Sequence, residues 1–208
     1  MKHPYENAPA YRRWRASMSN RETDAIDPCT HDDFRIEPDD RVMTAGSCFA
    51  QHISRYLKAS GLPFVETEPA HPILPQELIQ PFGYGLYSAR YGNIYTARQL
   101  LQLLRRAHGE FQPLDDAWEE DGVWYDPFRP GLQPGGFASR EELDIDRRHH
   151  LSATLAAFEQ ADVLVFTLGL TECWHDIRDG AAIGTVNLTF LGSYTRFENQ
   201  SRRADGNF

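Results

Sequence analysis

The sequence is poor in cysteine, has no long apolar run, and shows no excess of positive charge. Its three cysteines, Cys29, Cys48 and Cys173, are an odd number at unrelated spacings, so neither a disulfide framework nor a metal knuckle is indicated. No stretch approaches the roughly 20 consecutive apolar residues of a spanning helix, and Met1 to Arg15 lacks the apolar core of a signal peptide. A cytoplasmic protein without a membrane span is expected. The net charge of −9 withholds the basic footprint that nucleic acid or an anionic membrane requires, so neither is an expected partner. No cofactor motif, internal repeat or low-complexity segment is visible. Glu172 and Asp176 lie four apart, but no histidine or cysteine cluster joins them to make a metal site, so no metal is expected.

What is present is an ordinary globular composition, 41% apolar and 25% charged over 208 residues, enough for one domain with a sizeable core. Residues 1–40 mix charges without an apolar period and are expected to form a surface arm, leaving 41–208 as the domain. Arg41 to Ala45 is a short apolar run stopped by Gly46, as a buried strand is. Phe49, Ile53, Tyr56 and Leu57 then fall at helical spacing until Gly61, and Leu62 to Val65 reads as a second strand. This strand–turn–helix–strand order predicts a right-handed βαβ unit in a parallel sheet. Prolines and glycines punctuate 66–92, which reads as loop. Thr96 with Gln99, and Ser139 with Glu142, are capping-box patterns that open helices. The second of these has Leu151, Leu155 and Phe158 on its apolar face. Ala161 to Leu168 is the clearest core strand, interrupted only by Asp162 and Thr167 and closed by Gly169. Thr185 to Tyr194 is at best one further strand.

Ser47 stands between a strand end and a helix start, the place where open α/β sheets bind ligands. Helix N–H groups there could stabilise an oxyanion. A serine before a helix is equally a simple N-cap. Cys48 is either a nucleophile or buried packing. Trp118, Trp124 and Trp174 could line a sugar subsite or belong to the core. Among the histidines, His149 and His150 lie mid-helix and are expected to be solvated, while His52 points away from the helix start. His175, near the carboxyl edge of the sheet, is the one whose position suits a site, although a surface-loop histidine is the alternative.

Four ordered blocks carry a resemblance. They are Gly46-Ser47-Cys48-Phe49-Ala50, the run from Gly92-Asn93-Ile94-Tyr95 to Leu100, Pro127-Phe128-Arg129-Pro130, and Thr167-Leu168-Gly169-Leu170-Thr171-Glu172 with Trp174. Together, over about residues 30–180, they resemble the GSCFA family, relatives of the SGNH esterases. The resemblance implies an α/β, flavodoxin-like three-layer sandwich with a central parallel sheet. It also implies a serine esterase or acyl-transfer enzyme acting on an acyl ester, with glycans among the carriers. Ser47 maps onto the nucleophile and Gly92 onto an oxyanion-hole glycine. Thr171 stands where SGNH enzymes place an oxyanion asparagine, so either another donor, with Asn93 the candidate, rebuilds the hole or the chemistry is weaker; the structural alternative is that Thr171 and Glu172 cap a following helix. The implied Asp-x-x-His base is absent from 181–208, which hold no histidine. A fragment, a frameshifted product or a divergent member is therefore expected. A non-catalytic binding module is the alternative function.

Overall fold

The computed structural model describes residues 7, 9–10, 13–19, 21–26, 34–170 and 173–184, in two units, Met1–Glu37 and Pro38–Phe208. Within the first unit, α1 (Trp14–Ser17) is a single turn followed by a 3₁₀ turn at Thr23–Ala25. None of the described residues of either turn is buried. The expected strand at 185–194 lies outside the described residues.

The second unit is built on β1 (Val42–Gly46), in which every residue is buried. A strand exposes its peptide groups alternately to its two edges. Toward one edge β1 pairs in parallel with a strand 121 residues downstream, from Val42 beside Val163 to Gly46 beside Thr167. At the start of that pair, Arg41 grips Asp162 through its backbone N–H and its guanidinium at 2.9–3.0 Å. The second edge is closed piecemeal. Val42 N–H donates to Pro63 O and accepts, through its carbonyl, from Val65 N–H. Thr44 N–H donates to the Ser88 hydroxyl, the Tyr91 hydroxyl donates to Thr44 O, and Ile94 N–H donates to Gly46 O at 2.7 Å. The expected second strand, 62–65, is thus a single parallel bridge between Phe64 and Val42. Pro63 has no N–H to extend a ladder, and after Val65 the chain turns so that Thr67 N–H bonds Ser88 O instead.

After β1 comes α2 (Cys48–Ser60), stopped by Gly61 in the left-handed conformation (φ 79°). Its buried face is Ala50, Ser54 and Leu57; Phe49 and Tyr56, expected on the apolar stripe, are exposed. The cause is close approach to β1: the Ser54 and Thr44 hydroxyls meet at 2.6 Å, and bulky side chains there would hold the helix away. The 66–92 segment is loop apart from α3 (Gln76–Ile79), and α4 (Ala97–Ala107) opens on the full Thr96–Gln99 capping box. A hairpin absent from the sequence reading follows, β2 (Trp118–Glu120) and β3 (Val123–Tyr125). Then come α5 (Arg140–Gln160) and β4 (Val163–Thr167). Ser139 caps α5 by accepting from Glu142 N–H, while the Glu142 carboxylate reaches Ala138 N–H rather than closing the box. β4 is only half-buried, with Leu164 40% exposed, where a fully covered strand was expected.

The inner face of α5 departs furthest from a simple apolar stripe. Its buried positions include Leu143, Arg147, His150, Ala153, Thr154 and Ala157, so His150 is in the core and not solvated; His149 is exposed. His150 Nδ1–H donates at 2.8 Å to Glu68, which also accepts from Arg90 N–H at 2.7 Å. Burial holds the imidazole neutral, lowering its pKa to about 4, and the neighbouring Arg129 acts in the same direction. Arg90 and Arg129 both bind Asp146, at 2.9 and 2.7 Å, and Arg129 also binds Asp126 at 3.0 Å. Burial pushes the Asp126 carboxyl up, but Arg129, Arg106 and Arg147 outweigh it and hold it well below the usual carboxylate range.

Removing one partner of such a pair strands the other as a buried charge, a loss of about 3–5 kcal/mol. Asp146→Ala should lower unfolding stability by that amount, whereas Asp162→Ala, at the exposed Arg41 pair, should cost under about 1 kcal/mol; urea denaturation of both variants checks this. His150 adds a pH dependence. Its folded pKa is depressed, so the unfolded chain takes up the proton first, beginning near the ordinary value of about 6.5. Stability should be full above that pH and fall toward pH about 4, by at most about 1.4 kcal/mol per pH unit. His150→Gln should remove this limb while leaving the carboxylate-driven loss at lower pH.

Candidate functional site

The carboxyl ends of β1 and β4 converge on glycines that admit no side chain. Gly46 has φ 128°, and a Cβ placed there would lie 2.5 Å from Thr167 O and 2.6 Å from Thr167 N and Oγ1. Gly169, just past β4, would push a Cβ to 2.7 Å from the Tyr95 ring and 2.9 Å from Ser47 Cβ. The two strand ends therefore close onto Ser47 from both sides. Ser47 N–H donates to Thr167 O and Thr167 Oγ1, each at 3.0 Å.

Ser47 is the N-cap residue of α2 by position, yet its side chain caps nothing. Its hydroxyl lies 3.0 Å from Thr167 Oγ1, the one partner it has among the described residues. Ser47 is 8% exposed. The 92–96 block is drawn to the same place by its backbone: Ile94 N–H binds Gly46 O, and Tyr95 O accepts from both Gly169 N–H and Leu170 N–H. Asn93 is thereby carried to the end of β1. Its side-chain oxygen accepts from the Tyr87 hydroxyl and from Gln51 Nε2 at 3.4 Å. The same Tyr87 hydroxyl lies 3.3 Å from Ser47 O and accepts from Gln51 Nε2 at 3.0 Å. Burial raises the Tyr87 pKa to about 12, so the phenol keeps its proton and serves as a donor. With the Asn93 oxygen engaged, its amide nitrogen is turned away from those partners. Neither that NH₂ nor the Gly92 N–H donates to a protein acceptor among the described residues. Gly92 takes the left-handed conformation, φ 67°.

Gln51, Tyr87, Gly92 and Asn93 line a cavity of about 250 Å³, together with Pro81, Leu86, Phe128, Pro130 and Leu132. Arg129 also lines it, which gives the Pro-Phe-Arg-Pro block a place beside the site. None of Trp118, Trp124 and Trp174 lines the cavity.

The remaining expected site residues divide. Thr171 and Glu172 lie outside the described residues. His175 is buried rather than on a surface loop: it bridges Ala182 across a small hairpin, which Ile183 N–H to Trp174 O and Gln102 of α4 to Ala182 N–H hold in place. Asp176 is engaged by Arg178. Cys48 is exposed and Cys173 buried, both as free thiols; the packing role open for Cys48 is excluded by its exposure. Among the described residues no group of three or more His, Cys, Asp and Glu side chains could hold a metal ion, and no helix is long and apolar enough to cross a membrane. Tyr87, Gln51 and Thr167 escaped the sequence reading. Only Thr167 left a signal, as the polar interruption of an apolar strand one residue before its end.

The Gly46 contact is with backbone, which cannot rotate aside. Gly46→Ala should therefore cost about 3 kcal/mol or more of stability, while Gly61→Ala, where an added Cβ meets nothing within 4 Å, should cost less; thermal denaturation of the two variants makes the comparison.

The profile of the GSCFA family matches residues 41–204. No curated protein and no solved structure matches the chain.

Proposed function

The chain belongs to the GSCFA family, and from that premise we propose that it is a serine-dependent esterase or acyl-transfer enzyme acting on an acyl ester, with glycan-borne esters among its substrates. The observation that carries this reading is the state of Ser47. It holds the N-cap position of a helix at the end of a buried strand, but its hydroxyl is not spent on the helix. A serine serving only as a cap would accept from a first-turn N–H.

In this reading Ser47 Oγ attacks the ester carbonyl, and its proton passes to a general base. The carbonyl oxygen becomes an oxyanion held by Gly92 N–H and Asn93 Nδ2, two donors without a protein acceptor among the described residues. Tyr87 and Gln51 hold the Asn93 oxygen and so fix which way its NH₂ points. The tetrahedral species collapses with loss of the alcohol, and water or a second hydroxyl takes the acyl group from Ser47. The cavity bounded by Leu86, Phe128 and Leu132 is the place for the substrate's apolar part. Thr171 and Glu172 come two and three residues after Gly169 and are assigned by the family resemblance to the oxyanion turn, and His175 is the histidine assigned as proton acceptor. The parallel β1–β4 pair flanked by α2 and α5 supports a flavodoxin-like sandwich of SGNH type, with 41–208 as the domain and 1–40 as an arm. The free thiols fit a reducing, cytoplasmic setting.

A binding role without catalysis has one observation in its favour: the Ser47 hydroxyl meets another hydroxyl, Thr167 Oγ1, which is no base. Turnover of p-nitrophenyl acetate by this chain should accordingly be weak. Ser47→Ala should abolish whatever activity exceeds the buffer rate, and Asn93→Ala should lower kcat about 10²–10³-fold. Loss in His175→Ala as well would make His175 the proton acceptor; retention there would move that role to another group. Turnover unchanged by Ser47→Ala would leave the binding role.

A further inference from the structure

The apolar lining of the large cavity is held in place from several sides. Residues 126–132 close on themselves: Phe128 N–H donates to Asp126 Oδ1 at 3.0 Å, Arg129 N–H to Asp126 O at 3.0 Å, and Leu132 N–H to Arg129 O at 3.1 Å. The Arg106 guanidinium stacks on the Phe128 ring at 3.7 Å. Leu132 is buried with a methyl group seated on Gly83, where a Cβ would lie 2.4 Å from Leu132 Cδ1. Gly184 admits Pro130 in the same way, at 2.8 Å from Cδ. A ligand that fills this lining therefore has little to order on binding.

The ionisable side chains that line the cavity are Tyr87, Tyr91 and Arg129. Burial raises both phenols, so each keeps its proton near neutral pH. The charge of Arg129 is met by Asp126 and Asp146. The lining thus offers an ionic group no counter-charge, and it offers no acid or base that works near neutrality. The alcohol half of an ester needs such a group, because its oxygen takes up a proton as it leaves. The acyl half exchanges no proton. Gly92 and Asn93, the donors proposed for the carbonyl oxygen, line the same cavity as Leu86, Phe128, Pro130 and Leu132. Size adds a bound: an apolar cavity of about 150 Å³ takes up benzene, so one of about 250 Å³ has room for roughly ten non-hydrogen atoms.

We propose that this cavity is an acyl pocket for a neutral, apolar acyl group of about six to nine carbons, and that Leu132 is the residue that limits its length. The name acyl rests on the esterase reading; the binding of a neutral chain attached to a carbonyl does not, because it requires neither Ser47 nor a base. An acetyl group would leave most of the cavity to water and forgo the burial that a longer chain gains.

Primary amides from acetamide to decanamide probe the pocket without turnover. Titrated by NMR into the Ser47→Ala chain, they should bind about fourfold more tightly per added methylene, with the gain ending between octanamide and decanamide. In the unaltered chain, kcat/KM for p-nitrophenyl esters from acetate to decanoate should follow the same order. Leu132→Ala should move both optima to longer chains, and Leu86→Trp, at a half-buried lining position, should move them to shorter ones; the second variant decides if the first fails to fold. Binding that depends on chain length, with no ester turned over, would support the pocket and remove the esterase reading. Turnover of acetate with affinity flat along the amide series would overturn the pocket and leave the esterase reading standing. An order of preference unmoved in the folded variants would also overturn it.

Discussion

The peptide groups of β1 that face away from β4 must all find partners, because the strand is buried along its whole length. A second parallel strand would meet that demand with a uniform ladder. Here it is met by a short bridge at Phe64, the Ser88 hydroxyl, the Tyr91 hydroxyl and the Ile94 N–H, in that order along the strand. Each is a tether as well as a hydrogen bond. The 87–94 segment, irregular in conformation, is laid along β1 because leaving those backbone groups unmet would cost about 1–3 kcal/mol apiece. The last tether, Ile94 to Gly46, carries Asn93 to the end of β1, where the Tyr87 hydroxyl reaches both Asn93 Oδ1 and Ser47 O. The site's geometry is thus a by-product of satisfying a strand edge.

The other organising device is charge inside the protein. All but two of the 21 lysine and arginine residues are arginine, and among the described residues Arg90, Arg106, Arg129 and Arg147 are buried. A guanidinium can bind two carboxylates in one plane while its faces pack against rings, as Arg90 does with Asp146 and Tyr84. This lets α5 turn Arg147 and His150 inward without breaking its contact with the rest of the unit. The network joins segments distant in sequence: Glu68, Arg90, Asp126–Arg129 and α5.

The sequence was informative wherever a local rule operates. The ends of β1 and β4, the Thr96–Gln99 box, the Ser139 cap and the parallel pairing of two apolar runs all follow from short-range patterns. It was silent or misleading where tertiary partners decide. His150 looks solvated beside His149 until Glu68, 82 residues away, is brought to it. Phe49 and Tyr56 look like core until the closeness of α2 to β1 demands Ala50 and Ser54 instead. The 62–65 run shortens to a bridge because Pro63 lacks a donor. At the site, Ser47, Gly46 and Asn93 were legible from family blocks, whereas Tyr87 and Gln51 orient Asn93 through contacts that no spacing announces.

The pairing of β1 with β4 also bears on how the protein is made. Their first paired residues are 121 positions apart, so a chain growing from its N-terminus at about 5–20 residues per second carries β1 without its partner strand for roughly 6–24 s. Until β4 emerges, β1 is an apolar segment with an open hydrogen-bonding edge, the kind of feature that pairs with whatever strand it meets first. The same long loop must close before the Gly46–Thr167 contact exists, which places the protein among slow folders relative to chains of local contacts. Ser47 therefore acquires its surroundings only once Thr167 and Gly169 have been synthesised.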